Sequence, residues 1–243
     1  MILLRSLVYF TAMVITVVLF GLAIALLGKF LPSDVSDRMA TRWGLVNLWL
    51  QKWICGLDFQ IDGMENLPTE GPAIVMSKHQ STWETIALRG FLRHDQSWVL
   101  KQELMKLPIF GWALRCVKSI PIDRSAGRRA VMKVVAEGKA RLAEGRCVII
   151  FPEGTRTAPG SRRKYGLGGG ILAERSAEKV FPIAHNAGVF WRRRGVKKYP
   201  GKIRVVIGPA IESEGRKASE IVQDVEEWIE ARQAELPLKA ETL

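Results

Sequence analysis

Cysteine is scarce in this chain, with three in 243 residues: Cys55, Cys116 and Cys147. They lie far apart, odd in number and without a CxxC pair, which excludes a disulfide framework and a thiolate zinc site and fits a reducing compartment. Histidine is equally rare, at His79, His94 and His185. The last two are most simply structural or surface residues. No internal repeat, low-complexity tract, zinc-finger spacing, helix-turn-helix spacing or RNP-like aromatic pattern is present, so nothing points to a nucleic-acid partner. A G-x-S-x-G elbow of the serine hydrolases is also missing. Acidic residues are outnumbered, 24 against 36 lysines and arginines, which leaves a net charge of +12. That excess favours an anionic partner, either a phosphorylated substrate or an anionic membrane surface.

Charge disappears altogether from Leu7 to Gly28. As a helix this stretch of about 22 residues spans roughly 33 Å, enough to cross a hydrocarbon core. Ala23-Ile24-Ala25 faintly suggests a signal-peptide cleavage site, but the apolar run is longer than an h-region and continues past it. A retained membrane helix is therefore expected. Arg5 precedes it, while Lys29, Arg38, Arg42 and Lys52 follow, which places the downstream side in the cytoplasm. Pro32, Ser33 and Asp34 signal a new helix start. The next stretch, to Cys55, mixes Trp43, Leu48, Trp49 and Trp53 with polar residues. This suits an interfacial amphipathic helix or one packed on the soluble domain. Residues 1–56 are thus expected to form a membrane-associated two-helix segment, either a span plus a surface helix or a hairpin in one leaflet.

From residue 57 to 243 short apolar runs alternate with helical patterns, which predicts an α/β domain with helices packed on a mixed central sheet. Strands are expected at 73–76, 98–100, 120–122, 147–151, 180–183 and 203–207. Helices are expected at 82–92, 103–116, 126–144 and 217–235, with Gly145 ending the third. The basic clusters at Ser161–Lys164 and Arg192–Lys198 suit anionic head groups or a solvated face.

Three loops combine groups able to do chemistry. In "SKHQSTWE", His79 sits in the loop after a strand that ends at Ser77, and Glu84 sits in the first turn of the following helix. Ser81 and Glu84 fit a capping box, in which Glu84 merely satisfies a backbone N–H. The same geometry brings its carboxylate within reach of the imidazole, fixing its tautomer and raising its basicity. Such a pair suits activation of a substrate alcohol; Ser81 as a hydrolytic nucleophile is the rival. In "CVIIFPEGTR", Glu153, Gly154, Thr155 and Arg156 follow a buried strand, at the strand end where α/β sheets bind ligands. Arg156 can grip a phosphate, and so can Arg124 in "SIPIDR".

Taken in order and spacing, "KHQSTWE", "SIPIDR", "FPEGTR" and "VFPIAHN" closely resemble the four motifs of the glycerolipid acyltransferase family, over nearly the whole chain. The resemblance implies that His79 is a general base oriented by Glu84, acting on the free hydroxyl of a lysophospholipid. The donor would be acyl-CoA or acyl carrier protein, attacked directly without an acyl-enzyme and without metal or prosthetic group. Arg124, Glu153, Gly154, Thr155 and Arg156 would bind the glycerol phosphate. Lys101, in "VLKQEL", would assist phosphate or oxyanion stabilisation, and Pro182 would shape the acyl-donor side. It further implies phosphatidic acid as product and a place on the cytoplasmic face of the inner membrane. Another lysolipid acceptor, such as a lyso-ornithine lipid, and a non-catalytic lipid binder are the alternatives. Two positions depart from the usual motif: Lys78 stands where the family has asparagine, and Glu84 where it has aspartate.

Overall fold

In the computed structural model of the chain, residues 1–28 and 30–239 are described; Lys29, counted above in the charge asymmetry, and residues 240–243 lie outside them. Two helices come first, α1 at Ile2–Leu27 and α2 at Ser33–Cys55. Pro32 starts α2, and Gly56 ends it in the left-handed region at φ 67°. The strands are β1 (Leu57–Asp62), β2 (Ala73–Ser77), β3 (Gln96–Lys101), β4 (Ile120–Ile122), β5 (Cys147–Ile150), β6 (Val180–His185) and β7 (Gly201–Ile207). Interleaved with them are α3 (Trp83–Phe91), α4 (Phe110–Cys116), α5 (Arg128–Ala143), α6 (Gly168–Ser176), α7 (Ala187–Phe190) and α8 (Ala218–Glu235).

The strands form one sheet in the order β1-β7-β6-β2-β5-β3-β4. Only the β6–β7 pair is antiparallel among the described strands, so the sheet is mixed. β2 and β5 are covered on both faces, which is why both read as unbroken apolar runs. One face, with Val75, Ile149 and Ile183, packs on α1, α2 and α3. The other, with Ile74, Met76 and Val180, packs on α5, α6 and α8. Because β2 and β5 run parallel in register, Val75 opposite Ile149, the loops holding His79 and Glu153 leave the same sheet edge side by side.

The N-terminal helices lie along this domain. Gly44 of α2 meets Gly90 of α3 so closely that a Cβ would fall 2.6 Å from the Gly90 nitrogen. Asp37 of α2, buried, accepts hydrogen bonds from Arg89 at 3.1 Å and Arg146 at 2.7 Å. Near its start α1 touches the domain through Ser6, whose hydroxyl accepts from the Lys198 amide, and Tyr9, edge-on to Trp191. Near its end Gly21 abuts Ile109.

Four elements differ from the sequence expectation, among them α7, a single turn too short to show a helical period. The helix expected at 103–116 is split into a 3₁₀ segment, Gln102–Lys106, and α4. Pro108 lacks the amide a continuous helix needs, and Ile109 at φ 63° turns the chain between them. α6 went unread because it begins with three glycines, poor helix formers. β1 went unread because its alternation of polar and apolar residues is short and follows directly on a helix.

Candidate active site

The loop from Lys78 to Ser81 joins β2 to α3, and its backbone groups are used one by one. The Lys78 amide donates to the Ile183 carbonyl at 2.9 Å and the His79 amide to Glu153 Oε2 at 2.7 Å. The amides of Gln80 and Ser81 both donate to Glu84 Oε1, at 2.8 and 2.7 Å. That same oxygen lies 2.8 Å from His79 Nδ1. Capping and imidazole orientation are therefore one arrangement, with a single carboxylate oxygen doing both. Hydrogen bonds to a charged acceptor contribute about 1.5–3 kcal/mol each. Burial alone would raise the Glu84 carboxyl, but the bond from His79 and the backbone donors hold it below the usual carboxylate range.

A carboxylate at Nδ1 keeps the proton on that nitrogen and leaves Nε2 with a free lone pair. The ring is clamped flat against Phe151, with centroids 4.0 Å apart and planes 16° from parallel. His185 supports the loop from below: its Nε2 donates to the Lys78 carbonyl at 2.9 Å, and its Nδ1 accepts from the Ala187 amide at 3.3 Å. Burial lowers its affinity for a second proton, in keeping with this neutral form.

His79 opens on a cavity of about 520 Å³ whose walls fall into two kinds. One kind is apolar: Val17, Phe20 and Ile24 of α1, Trp43 of α2, Phe110 and Leu114 of α4, with Leu100 and Phe151 from the sheet. The other is cationic: Lys101, Arg124, Arg156, Arg193 and Arg194. Arg193 donates to the Arg156 carbonyl at 2.9 Å, which ties two of these residues together. Burial lowers the guanidinium pKa of Arg156, with Glu84 opposing and Arg193 adding to the effect. The same holds for Arg124, where Glu103 opposes and Arg156 adds. Cations that repel one another, with Arg156 half-buried and its Nε lacking a hydrogen-bond partner, form a place prepared for an anion.

The residues singled out from sequence do not all face this cavity. His79, Lys101, Arg124, Thr155 and Arg156 line it. Lys101 stands at the rim, more than half exposed and paired with Glu103 at 2.7 Å. Gly154 makes the turn after β5 at φ 68°, a conformation that disfavours any side chain. Glu153 faces inward instead: one oxygen accepts from the His79 amide, while the other meets Lys78 Nζ and the Thr157 hydroxyl, both at 2.8 Å. Its carboxylate holds the loop and is buried away from the cavity. Pro182 sits in β6 with its ring toward Gly208, on the face shared with Val180 and covered by α8. Since side chains alternate along a strand, it is turned away from the cavity. Ser81 Oγ accepts from the Trp83 amide at 3.1 Å and lies outside the cavity, which removes the hydrolase reading. The Cys147 thiol is fully buried and pushed up to about 12, so it is no nucleophile.

Sequence reasoning missed Arg193 and Arg194, taken above as part of a surface cluster. The run of arginines was visible, but only the packing of the segment after α7 turns two of them toward His79. The α1 and α2 wall was likewise invisible, because an apolar residue reads the same whether it faces lipid, core or cavity.

Because the Glu84 carboxyl is held below its unfolded value, its contribution to stability is full above the unfolded pKa and is lost as pH falls through the folded one. Glu84→Gln should therefore flatten the acid side of the stability profile. Thermal melting of both proteins from pH 3 to pH 7 checks this, and an unchanged profile would show that Glu84 is not held ionised.

A model of the acyltransferase family matches residues 58–186. The 1-acyl-sn-glycerol-3-phosphate acyltransferase of Pseudomonas aeruginosa is 39% identical over 236 residues, covering 96% of this chain and 91% of that protein. The corresponding enzyme of Helicobacter pylori is 28% identical over 56% of this chain and 58% of its own length. Among solved structures, the 1-acyl-sn-glycerophosphate acyltransferase of Thermotoga maritima shares the fold with a TM-score of 0.81. It covers 99% of this chain and 98% of its own at 20% identity. With the family match spanning more than half of its length and an enzyme this similar along almost all of it, the chain belongs to the acyltransferase family.

Proposed function

We propose that this chain moves a fatty acyl group from acyl-CoA or acyl carrier protein to the sn-2 hydroxyl of 1-acyl-sn-glycerol-3-phosphate, giving phosphatidic acid. The observation that carries this reading is one cavity that joins an oriented His79 to both an apolar wall and a cluster of cations. The relatives' substrate supports it, and so does the charge. A phosphate suits Arg124, Arg156, Arg193 and Arg194 through paired charge-assisted hydrogen bonds. A lyso-ornithine lipid, a zwitterion with one carboxylate and one ammonium, offers this cluster less negative charge than a phosphate does.

The chemistry follows from the proton positions. Glu84 holds the proton on Nδ1, so Nε2 accepts the proton of the sn-2 hydroxyl as its oxygen attacks the thioester carbonyl. The imidazolium formed is stabilised by Glu84, and the oxyanion by the surrounding cations. Collapse breaks the carbon–sulfur bond, and the departing thiolate takes the proton back from His79. The apolar wall receives a fatty chain. Glu153 and Pro182 act indirectly, the first by holding the loop and the second by packing under α8.

We place the domain on the cytoplasmic face of the inner membrane, seated by its N-terminal helices. α1 is 26 residues long, its most apolar 18-residue window has a mean hydropathy of 2.7, and that window is mostly unburied. It contacts the domain near both ends, through Ser6 and Gly21, so it lies along the domain and turns one side outward. That side, with Leu45, Trp49 and Trp53 of α2, suits a hairpin resting in one leaflet.

Acyl transfer by detergent-solubilised protein, with a labelled acyl donor and lysophosphatidic acid, tests the chemistry. The wild type should make phosphatidic acid, and His79→Ala should lose about 10²–10⁴-fold in turnover. Arg156→Ala should mainly raise the acceptor KM; normal turnover by His79→Ala would remove the mechanism. For the seat, replacing Trp49 and Trp53 by serine should release protein from anionic vesicles, and undiminished binding would refute this surface.

A further inference from the structure

Lys78, which departs from the family's usual asparagine, has no part in the chemistry above, yet it is one of the most deeply buried cations of the chain, 1% exposed. Its ammonium group lies 2.8 Å from Glu153 Oε1 and 2.7 Å from Glu230 Oε1. Glu230 belongs to α8, on the far side of the sheet from the cavity, and also accepts from the Tyr165 hydroxyl at 3.0 Å. On the other side of His79, Gln80 Nε2 donates to Gln233 Oε1 at 2.7 Å. Gln233 Nε2 in turn donates to the His185 carbonyl at 2.8 Å. The two residues flanking His79 are thus both fastened to α8, by side chains three positions apart and so on one face of that helix. α8 is itself fixed in the core through Ile221, Val225 and Ile229.

We propose that Glu230 and Gln233, acting through Lys78 and Gln80, are positioning residues that set the His79 ring from the C-terminal helix. This rests on the reading of His79 as the base. The physical ground is that the Glu84 bonds require the amides of Gln80 and Ser81 and the ring of His79 to converge on one oxygen. The convergence holds only while the loop cannot rotate. Lys78 and Gln80 supply two anchors outside the sheet and outside α3. A lysine reaches Glu230 from the loop where an asparagine is too short, so this anchoring is particular to chains with lysine here and a carboxylate on the facing turn of α8.

The test uses the full chain in detergent, with Glu230→Gln, Gln233→Leu and Lys78→Met beside the wild type and His79→Ala. Three quantities are measured: kcat and KM for lysophosphatidic acid, the melting temperature, and the low-field proton resonance of the His79–Glu84 bond, identified by its loss in His79→Ala. The expected result is a fall in kcat of about tenfold or more in Glu230→Gln and Gln233→Leu, with KM within about twofold. The imidazole resonance should broaden or shift in both, while melting confirms folded protein. Lys78→Met removes the cation between the buried Glu153 and the half-buried Glu230 and is the variant prone to misfold; the other two keep the proposal open to refutation without it. Folded variants with wild-type kcat and an unmoved resonance would overturn the proposal. If the wild type makes no phosphatidic acid, the functional reading fails on its own. The resonance then decides alone: moved in Glu230→Gln it supports the positioning, unmoved it refutes it.

Discussion

One oxygen atom organises the site. Glu84 Oε1 receives the Gln80 amide, the Ser81 amide and the His79 ring nitrogen, all within 2.7–2.8 Å. A buried carboxylate is costly unless such donors surround it. The loop therefore has a strong reason to keep the conformation that satisfies this oxygen, and that conformation fixes which imidazole nitrogen is free. The remaining backbone groups of the loop are held from β6 and from the loop after β5. The Thr157 amide donates to the His79 carbonyl at 2.8 Å, and Glu153 receives the His79 amide. Catalytic geometry and local folding are in this sense the same set of hydrogen bonds.

The cavity depends on the N-terminal helices as much as on the α/β domain. α1 and α2 contribute apolar wall on one side and present exposed apolar residues on the other. With the domain seated on a bilayer as proposed, these apolar surfaces would be the route of a fatty chain to the site. The attachment is specific: the Gly44–Gly90 contact sets the approach of α2, and the Asp37–Arg89–Arg146 cluster fixes its register. Such buried ion groups add little net stability but penalise any arrangement that separates them. In the proposed reaction the cationic wall would serve the phosphate end of the acceptor.

Much of this was legible in the sequence, for physical reasons that differ by element. Fully buried strands such as Ala73–Ser77 announce themselves by unbroken apolar runs, and parallel pairing then places their following loops together. The five-residue spacing of His79 and Glu84 is meaningless on one helix and works across a loop–helix junction, which is what it spans. Pairings between distant segments were not legible. The motif of Glu153 lies at the sheet edge that suits a substrate ligand, but the direction of its side chain is set by Lys78 and Thr157. Pro182 was placed on the donor side by motif alone, and strand alternation turns it to the other face. Arg193 and Arg194 joined the site only through the packing of their segment beside Arg156.

The central claim is that His79 acts on the acceptor hydroxyl and that no acyl-enzyme forms. Release of the donor thiol, followed with and without lysophosphatidic acid, together with the intact mass of the enzyme, tests this most directly. The account predicts thiol release only when the acceptor is present, in step with phosphatidic acid, and an enzyme of unchanged mass. Thiol released by the donor alone, with an acyl group added to the protein, would contradict it.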